Sequence, residues 1–189
     1  IAEAGHYASG SASTSQSSCQ MGSYQPQSGQ TSCLLASAGF YVDSTSATTQ
    51  DACLSGSYQP SSGQSSRIDA SSGYFAAGSN ATAQVACSPG EYQPDTAQSS
   101  CLIAEAGHYA SGSASTSQTA CLAGRYNPNT GSSSVTACGS ASAGYFVPEA
   151  GSANQTECEL GTYQFATGRT SCIDASPGHF VNTTASLTQ

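Results

Sequence analysis

The chain has little of what a conventional globular core needs. It contains no Trp, no Lys and one Met, and Leu, Ile, Val and Phe account for only 21 of its 189 residues. That share is about 11%, well below the roughly 20% that marks sequences able to build a packed core. One large hydrophobic core is therefore excluded, which leaves either disorder or many small units held together in another way.

Charge is scarce as well. Only 7% of the residues are charged and the net charge is −8, with Arg67, Arg125 and Arg169 as the fixed cations. Phosphate backbones are bound by clustered Lys and Arg, so we expect no nucleic-acid partner. No apolar run approaches the roughly 20 residues that cross a bilayer, so we expect no membrane span in this window. The sequence shows no signal peptide and no initiator Met, and we expect a window of a longer chain.

What the chain does have is a repeated Gly-x-aromatic motif. The step is 17 residues throughout, except for one step of 20 that we attribute to an insertion near residues 132–134. A disordered chain has no reason to keep an aromatic residue in register so often. We expect the rings to pack on one another as a ladder that joins consecutive repeats. The eleven aromatic positions are Tyr7, Tyr24, Tyr41, Tyr58, Phe75, Tyr92, Tyr109, Tyr126, Phe146, Tyr163 and Phe180.

Two kinds of repeat alternate in one continuous array over 1–189, and together they form a 34-residue double repeat. The cysteine repeat reads Cys-x-x-Gly-x-Tyr, eight residues, Cys, and is expected at 19–33, 53–67, 87–101, 121–138 and 158–172. The glutamine repeat has Ala at the first position and Gln at the last, at 2–16, 36–50, 70–84, 104–118, 141–155 and 175–189. Either the Gln amide bonds backbone groups left open there, or it is a solvated turn residue.

The local sequence predicts hairpins rather than helices. Gly before an aromatic residue suits a tight entry into a short strand, and Pro soon afterwards ends it, as in Tyr24-Gln25-Pro26. We therefore predict an all-β or irregular fold with little or no helix. Its form would be an elongated, disulfide-stapled rod of eleven hairpin-like repeats.

Nine cysteines in a regular short-range pattern indicate disulfides and an oxidising compartment. Pairing within each cysteine repeat closes a loop of about 14 residues, worth roughly 3 kcal/mol per bridge on the chain-entropy model. It leaves Cys53 unpaired, because Arg67 stands at the partner position. The rival pairing runs across the glutamine repeats and leaves Cys87 alone, with Cys33–Cys53, Cys101–Cys121 and Cys138–Cys158 as its bridges. We favour the first pairing because its shorter loop holds its own Gly-x-Tyr.

The motif that runs from Cys19 through Gly22 and Tyr24 to Cys33 resembles two extracellular families. One is the first module of tumour-necrosis-factor-receptor cysteine-rich domains, and the other is the tandem ephrin-receptor-like repeat. The resemblance implies the pairs Cys19–Cys33, Cys87–Cys101, Cys121–Cys138 and Cys158–Cys172. Both families carry further cysteines, often as Cys-x-x-Cys, where this chain has Ala36, Ala104 and Ala175.

No catalytic, metal-binding or cofactor-binding constellation is visible, and we expect no enzyme activity, no cofactor and no metal site. The acidic residues share no register, and there is neither a Cys-x-x-Cys pair nor a phosphate loop. The three histidines, His6, His108 and His179, follow the repeat glycine, where we expect half-exposed packing residues.

The hydroxyl-rich surface and three Asn-x-Ser/Thr sequons, at Asn80, Asn154 and Asn182, suggest covalent glycans on the glutamine repeats. We therefore predict a structural, glycosylated protein located outside the cell or on its surface. It would form a filament, appendage or surface stalk, with neighbouring repeats or copies of itself as partners. The alternative is a binding module, either a receptor ectodomain or an adhesin.

Overall fold

Ten antiparallel hairpins with two-residue strands make up the regular structure of the computed structural model, which describes all 189 residues. The chain forms two compact units, the first from Ile1–Ala86 and Asp95–Cys101, the second from Cys87–Pro94 and Leu102–Gln189. Each repeat contributes one hairpin, apart from residues 175–189, which contain no strand. The prediction of an all-β fold made of disulfide-stapled, hairpin-like repeats is confirmed.

The first compact unit contains five hairpins. In each, the strand that carries the repeat aromatic pairs with a strand about ten residues later. The pairs are β1 (His6–Tyr7) with β2 (Ser17–Ser18), β3 (Ser23–Tyr24) with β4 (Leu34–Leu35), β5 (Phe40–Tyr41) with β6 (Asp51–Ala52), β7 (Ser57–Tyr58) with β8 (Ile68–Asp69), and β9 (Tyr74–Phe75) with β10 (Val85–Ala86).

The second compact unit contains five hairpins of the same design and one short 3-10 turn, Val135–Ala137. The turn lies in the cysteine repeat that has three extra residues, and the Ser134 side chain caps it. The pairs are β11 (Glu91–Tyr92) with β12 (Leu102–Ile103), β13 (His108–Tyr109) with β14 (Thr119–Ala120), β15 (Arg125–Tyr126) with β16 (Gly139–Ser140), β17 (Tyr145–Phe146) with β18 (Thr156–Glu157), and β19 (Thr162–Tyr163) with β20 (Ile173–Asp174).

Consecutive repeats are joined by backbone hydrogen bonds. Gly22 N–H donates to the Val42 carbonyl at 2.8 Å, and Gln25 N–H donates to the Ala47 carbonyl at 3.0 Å. In return, Ser46 N–H donates to the Cys19 carbonyl at 2.8 Å. The same three bonds recur from repeat to repeat within each compact unit. They use backbone groups that a two-residue strand would otherwise leave unpaired.

The predicted ladder of packed rings is wrong. The ring pair in the structure is Tyr163 with Phe165, whose centroids are 6.5 Å apart and which belong to one repeat. Apart from the exposed Phe180, the repeat aromatics are half-buried, and no ring pair joins two repeats. The backbone bonds bring the repeats so close that there is no layer between them for a stack of rings.

The buried interior of each compact unit consists mainly of small side chains. The first position of each repeat, Ala or Cys, is buried in all but the last repeat, as are most residues that follow the repeat aromatic. Val42 and Val147 are the largest fully buried apolar side chains. Such a narrow core explains how a chain with so few large apolar residues still folds.

The repeat glycine is required by a close approach. Gly22 has a φ of +83°, and a Cβ added there would overlap the Gly63 carbonyl oxygen and lie 2.9 Å from its carbon. Gly63 lies two repeats further along the chain, so each repeat contacts the second neighbour as well as the first. Only glycine combines this left-handed conformation with the absence of a side chain.

Candidate functional site

Ten of the eleven repeats are closed at the same place, and the closure is the feature that the sequence pattern singles out. In the cysteine repeats it is covalent. Disulfides join Cys19 to Cys33 and Cys158 to Cys172, with Cα atoms 5.8 Å apart in both. Cys87 and Cys101 are also disulfide-bonded.

The cysteine repeat with three extra residues keeps the same closure. Cys121 and Cys138 are 17 residues apart in sequence, yet their Cα atoms are separated by 5.6 Å. The short turn Val135–Ala137 takes up the additional length. The insertion therefore changes only the loop between the two strands of the hairpin, which we call the outer loop, and leaves the disulfide in place.

In the glutamine repeats the closure is a hydrogen bond. The Gln16 side-chain oxygen accepts the Glu3 backbone N–H at 2.8 Å, thirteen residues away in sequence. The sequence left open whether this Gln bonds to backbone or is a solvated turn residue, and in the structure it bonds to backbone. The equivalent bonds are Ser37 to Gln50, Ser71 to Gln84, Glu105 to Gln118, Ser142 to Gln155 and Ser176 to Gln189, at 2.6–2.8 Å.

A second set of amides was not recognised from the sequence. Gln25 is buried, donates to the Ser32 carbonyl at 2.9 Å and accepts the Gln27 N–H at 3.1 Å. Gln59 and Gln164 make the same pair of contacts in their own cysteine repeats. These bonds brace the outer loop of the repeat, and no buried side-chain nitrogen or oxygen lacks a partner. The recurrence of Gln or Asn directly after Tyr in every cysteine repeat was the signal available in the sequence.

One cysteine repeat has no staple. Cys53 is a fully buried free thiol, and Arg67 occupies the position of its missing partner. Burial raises the pKa of the Cys53 thiol, and the positive charge of Arg67 acts in the opposite direction. Arg67 itself turns to the surface, where its guanidinium donates to the Tyr41 hydroxyl at 3.3 Å.

A groove recurs on the outer surface, between the aromatic residue of a glutamine repeat and the cysteine repeat that follows. Beside Tyr7 it has a volume of about 720 Å³ and is lined by neutral polar groups and Cys33. Beside Tyr109 it has a volume of about 460 Å³, and Arg125 stands at its edge. Beside Phe146 it is smaller, about 190 Å³, and is lined by Glu157 and Glu159.

The three sequon asparagines are all exposed. Asn80 occupies a tight turn with a φ of +63°, and Asn182 directly follows the buried Val181. Asn154 precedes Gln155, whose side chain forms the closing hydrogen bond of that repeat. An attached glycan at any of the three would extend into solvent without displacing a buried group.

No three His, Cys, Asp or Glu residues are grouped closely enough to hold a metal ion. The Nδ1 atoms of His6 and His108 lie beside the carbonyls of Ala4 and Ala106, within their own repeats. No helix in the structure is of the length and apolar character that a membrane span needs.

Residues 5–53 match the family model described as tyrosine-protein kinase ephrin type A/B receptor-like. The predicted resemblance to ephrin-receptor-like cysteine-rich repeats is therefore confirmed for this segment. The resemblance to the tumour-necrosis-factor-receptor module is not confirmed. No curated protein matches the chain.

The matched segment spans most of the first glutamine repeat, the cysteine repeat 19–33 and the whole glutamine repeat 36–50, and it ends at Cys53. Apart from the three-residue insertion and Arg67, the remaining repeats have the same motif spacing and, up to residue 174, the same hairpins. Together with the disulfides, the match identifies a disulfide-rich repeat module of the extracellular type.

Proposed function

We propose that the chain is a structural, glycosylated component of an extracellular filament, appendage or surface stalk, without enzyme activity. The observation that carries this proposal is uniformity. All eleven repeats have the same sequence frame, ten of them have their own closure, and the same backbone bonds join successive repeats within each compact unit. A binding protein concentrates unusual residues at one site, whereas an array that carries tension distributes the same contacts along its length.

The closures suit a mechanical role. A disulfide across fourteen residues prevents that loop from extending under load. Each bridge therefore shortens the fully extended length of the chain by roughly 45–50 Å. The hydrogen-bonded glutamine repeats lack this covalent limit and are expected to open first. We infer that the alternation gives the array extensible and inextensible repeats in turn.

Glycans would compensate for the low surface charge. With 7% charged residues, the surface has few groups that favour solubility, and many exposed Ser and Thr residues. The exposure of Asn80, Asn154 and Asn182 supports covalent sugars at these positions. Intact-mass measurement before and after enzymatic removal of N-glycans tests this part, and an unchanged mass would refute N-glycosylation.

The structural role is tested by electron microscopy of the protein in its native material. Filaments or stalks in which the repeat can be labelled by an antibody are expected. Separate globular particles, labelled in the same way, would contradict the proposal. Stretching single molecules under oxidising and reducing conditions adds a quantitative test, since reduction should lengthen the fully extended chain by the loops that the disulfides had withheld.

The second candidate function is that of a binding module, either a receptor ectodomain or an adhesin, and the outer grooves favour it. They vary in charge from repeat to repeat, while the frame beneath them does not. Binding of a partner that is lost on changing one groove, in molecules that form no filaments, would favour this alternative.

A further inference from the structure

The groove beside the glutamine-repeat aromatic is occupied in one repeat by the chain itself. Arg67 stands where the other cysteine repeats have their second cysteine. Its guanidinium carbon lies 6.0 Å from the centre of the Tyr41 ring, and one of its nitrogens donates to the Tyr41 hydroxyl. Asp69 lies 4.0 Å from another guanidinium nitrogen. The geometry is that of a cation over an aromatic face with an acidic neighbour.

The groove beside Phe146 is the equivalent groove without the arginine, and its carboxylates come from positions in the repeat other than that of Asp69. Phe146 takes the place of Tyr41 in the frame, and Cys172 takes the place of Arg67. Because Cys172 is held in a disulfide with Cys158, its side chain leaves the groove open. Glu157 and Glu159 line this groove, are exposed, and form no ion pair.

The other grooves differ in ways that affect cation binding. Arg125 stands at the edge of the Tyr109 groove and donates to the Cys138 carbonyl at 3.1 Å, so a second cation there would be repelled. The Tyr7 groove is larger and its lining carries no charge. The Phe146 groove therefore combines an aromatic face, carboxylates and a small volume.

We propose that the groove beside Phe146 binds an arginine side chain presented by a protein partner, with the guanidinium over the ring as that of Arg67 lies over Tyr41. The ring offers its face to the planar guanidinium, and Glu157 and Glu159 supply charge-assisted hydrogen bonds. A chain with a net charge of −8 also attracts basic segments from a distance. This proposal goes beyond the structural role, and its failure would leave that role unaffected.

The test uses the full chain and a capped Gly-Arg-Gly tripeptide, compared with the same peptide carrying citrulline, which has nearly the same shape and no charge. In NMR titrations, the ring protons of Phe146 are expected to shift with the arginine peptide and to remain unchanged with the citrulline peptide. Equal shifts with both peptides would overturn the proposal.

A matched pair of variants separates the groove from general charge attraction. Glu159→Gln is expected to weaken arginine-peptide binding roughly two- to fivefold, the range for one exposed ion pair. Glu149→Gln removes the same charge at an exposed position that does not line the groove, and should leave the affinity unchanged. Equal weakening by both variants would show non-specific attraction and would overturn the proposal.

Arg67→Ala provides an independent test. It removes the side chain over the Tyr41 ring, so the Tyr41 ring protons should become sensitive to the arginine peptide, whereas no response is expected in the parent chain, where Arg67 covers the ring. Arg67 is exposed and makes no buried contact, so the variant is expected to fold. A Tyr41 ring that stays insensitive in this variant would contradict the assignment of these grooves as arginine sites.

Discussion

The cysteine repeats and the glutamine repeats have the same frame but different closures. In the first cysteine repeat, Cys19 is linked covalently to Cys33. In the first glutamine repeat, the Gln16 side chain instead accepts the backbone N–H of Glu3, the residue after Ala2. Both closures hold the end of the outer loop against the start of the repeat. The comparison shows that the frame favours a link at this position and accepts either a covalent or a hydrogen-bonded one.

The two kinds of closure differ in how much they stabilise the folded repeat rather than in where they lie. A disulfide across this loop stabilises by about 3 kcal/mol, and a hydrogen bond by about 1 kcal/mol. The glutamine repeats also have Ala or Val in the position where the cysteine repeats have Gln or Asn. Each glutamine repeat also lies between two cysteine repeats along the chain, except at the first and last repeats.

The largest expected effect comes from the feature that both kinds share. Gly22→Ala and Gly39→Ala should each lower the free energy of unfolding by at least about 3 kcal/mol, because the new Cβ meets a carbonyl group of a later repeat. Gly78→Ala is the control, since it has a φ of +71° but open space around it, and should cost about 1 kcal/mol. Thermal unfolding measures all three. Equal losses at Gly22 and Gly78 would show that the close approach between repeats contributes nothing.

The next effect concerns the repeat that lacks its staple. Arg67→Cys places a thiol at the position that pairs in the other cysteine repeats, and oxidation should add up to about 3 kcal/mol of stability. Chemical unfolding before and after reduction isolates the contribution of the bridge. A free thiol count that does not fall on oxidation would contradict the equivalence of 53–67 with the other cysteine repeats.

A direct conversion of one closure into the other sharpens the comparison. Cys19→Ala with Cys33→Gln should be less stable than the parent but about 1 kcal/mol more stable than Cys19→Ala with Cys33→Ala. The reason is that the introduced amide would accept the Gln20 N–H, as Gln16 accepts the Glu3 N–H. Identical unfolding curves for the two double variants would show that the closing bond depends on features found only in the glutamine repeats.

The sequence predicts the structure within a repeat better than the contacts between repeats. The spacing of Gly, Tyr and Cys was sufficient to predict the repeats and their hairpins, because a left-handed turn has a strong residue preference. The contacts between repeats could not be derived, since they are backbone bonds from Gly22 to Val42 and from Ser46 to Cys19, which no side-chain pattern reports.

The rings and the amides illustrate the same limit. A regular row of aromatic residues suggests ring packing, but the spacing of repeats in space, which decides whether rings meet, is not encoded in their spacing along the chain. Glutamine is usually exposed, so residue type alone gives no reason to expect that Gln25 and Gln59 are buried. The sequons at Asn80, Asn154 and Asn182 remain predictions.

A single closing bond should have a smaller effect. Gln50→Ala removes the acceptor of the Ser37 N–H and should lower the free energy of unfolding by about 1 kcal/mol. Gln64→Ala is the matched control, because its amide donates only to the nearby Ser62 carbonyl at 3.3 Å on the surface. Comparable losses in the two variants, measured by urea unfolding, would remove the special role of the closing glutamine.

The smallest effect is the pH dependence of the unstapled cysteine repeat. Because burial raises the pKa of the Cys53 thiol, its contribution to stability is complete below the ordinary thiol range and declines as pH rises through the raised pKa. The parent should therefore lose more stability than Cys53→Ala between about pH 7 and about pH 11. Melting temperatures across this range decide the matter, and parallel curves would contradict the prediction.

Hydrogen exchange of the backbone amides tests the central claim most directly, namely that closures and backbone bonds between repeats maintain the order of this chain. Four backbone amides should exchange slowly and together. Those of Gly22, Gly39 and Ser46 donate to the neighbouring repeat, and that of Ser37 donates to the Gln50 side chain. Exchange of these four amides at the rate of an unfolded chain, in protein with its disulfides intact, would contradict the account.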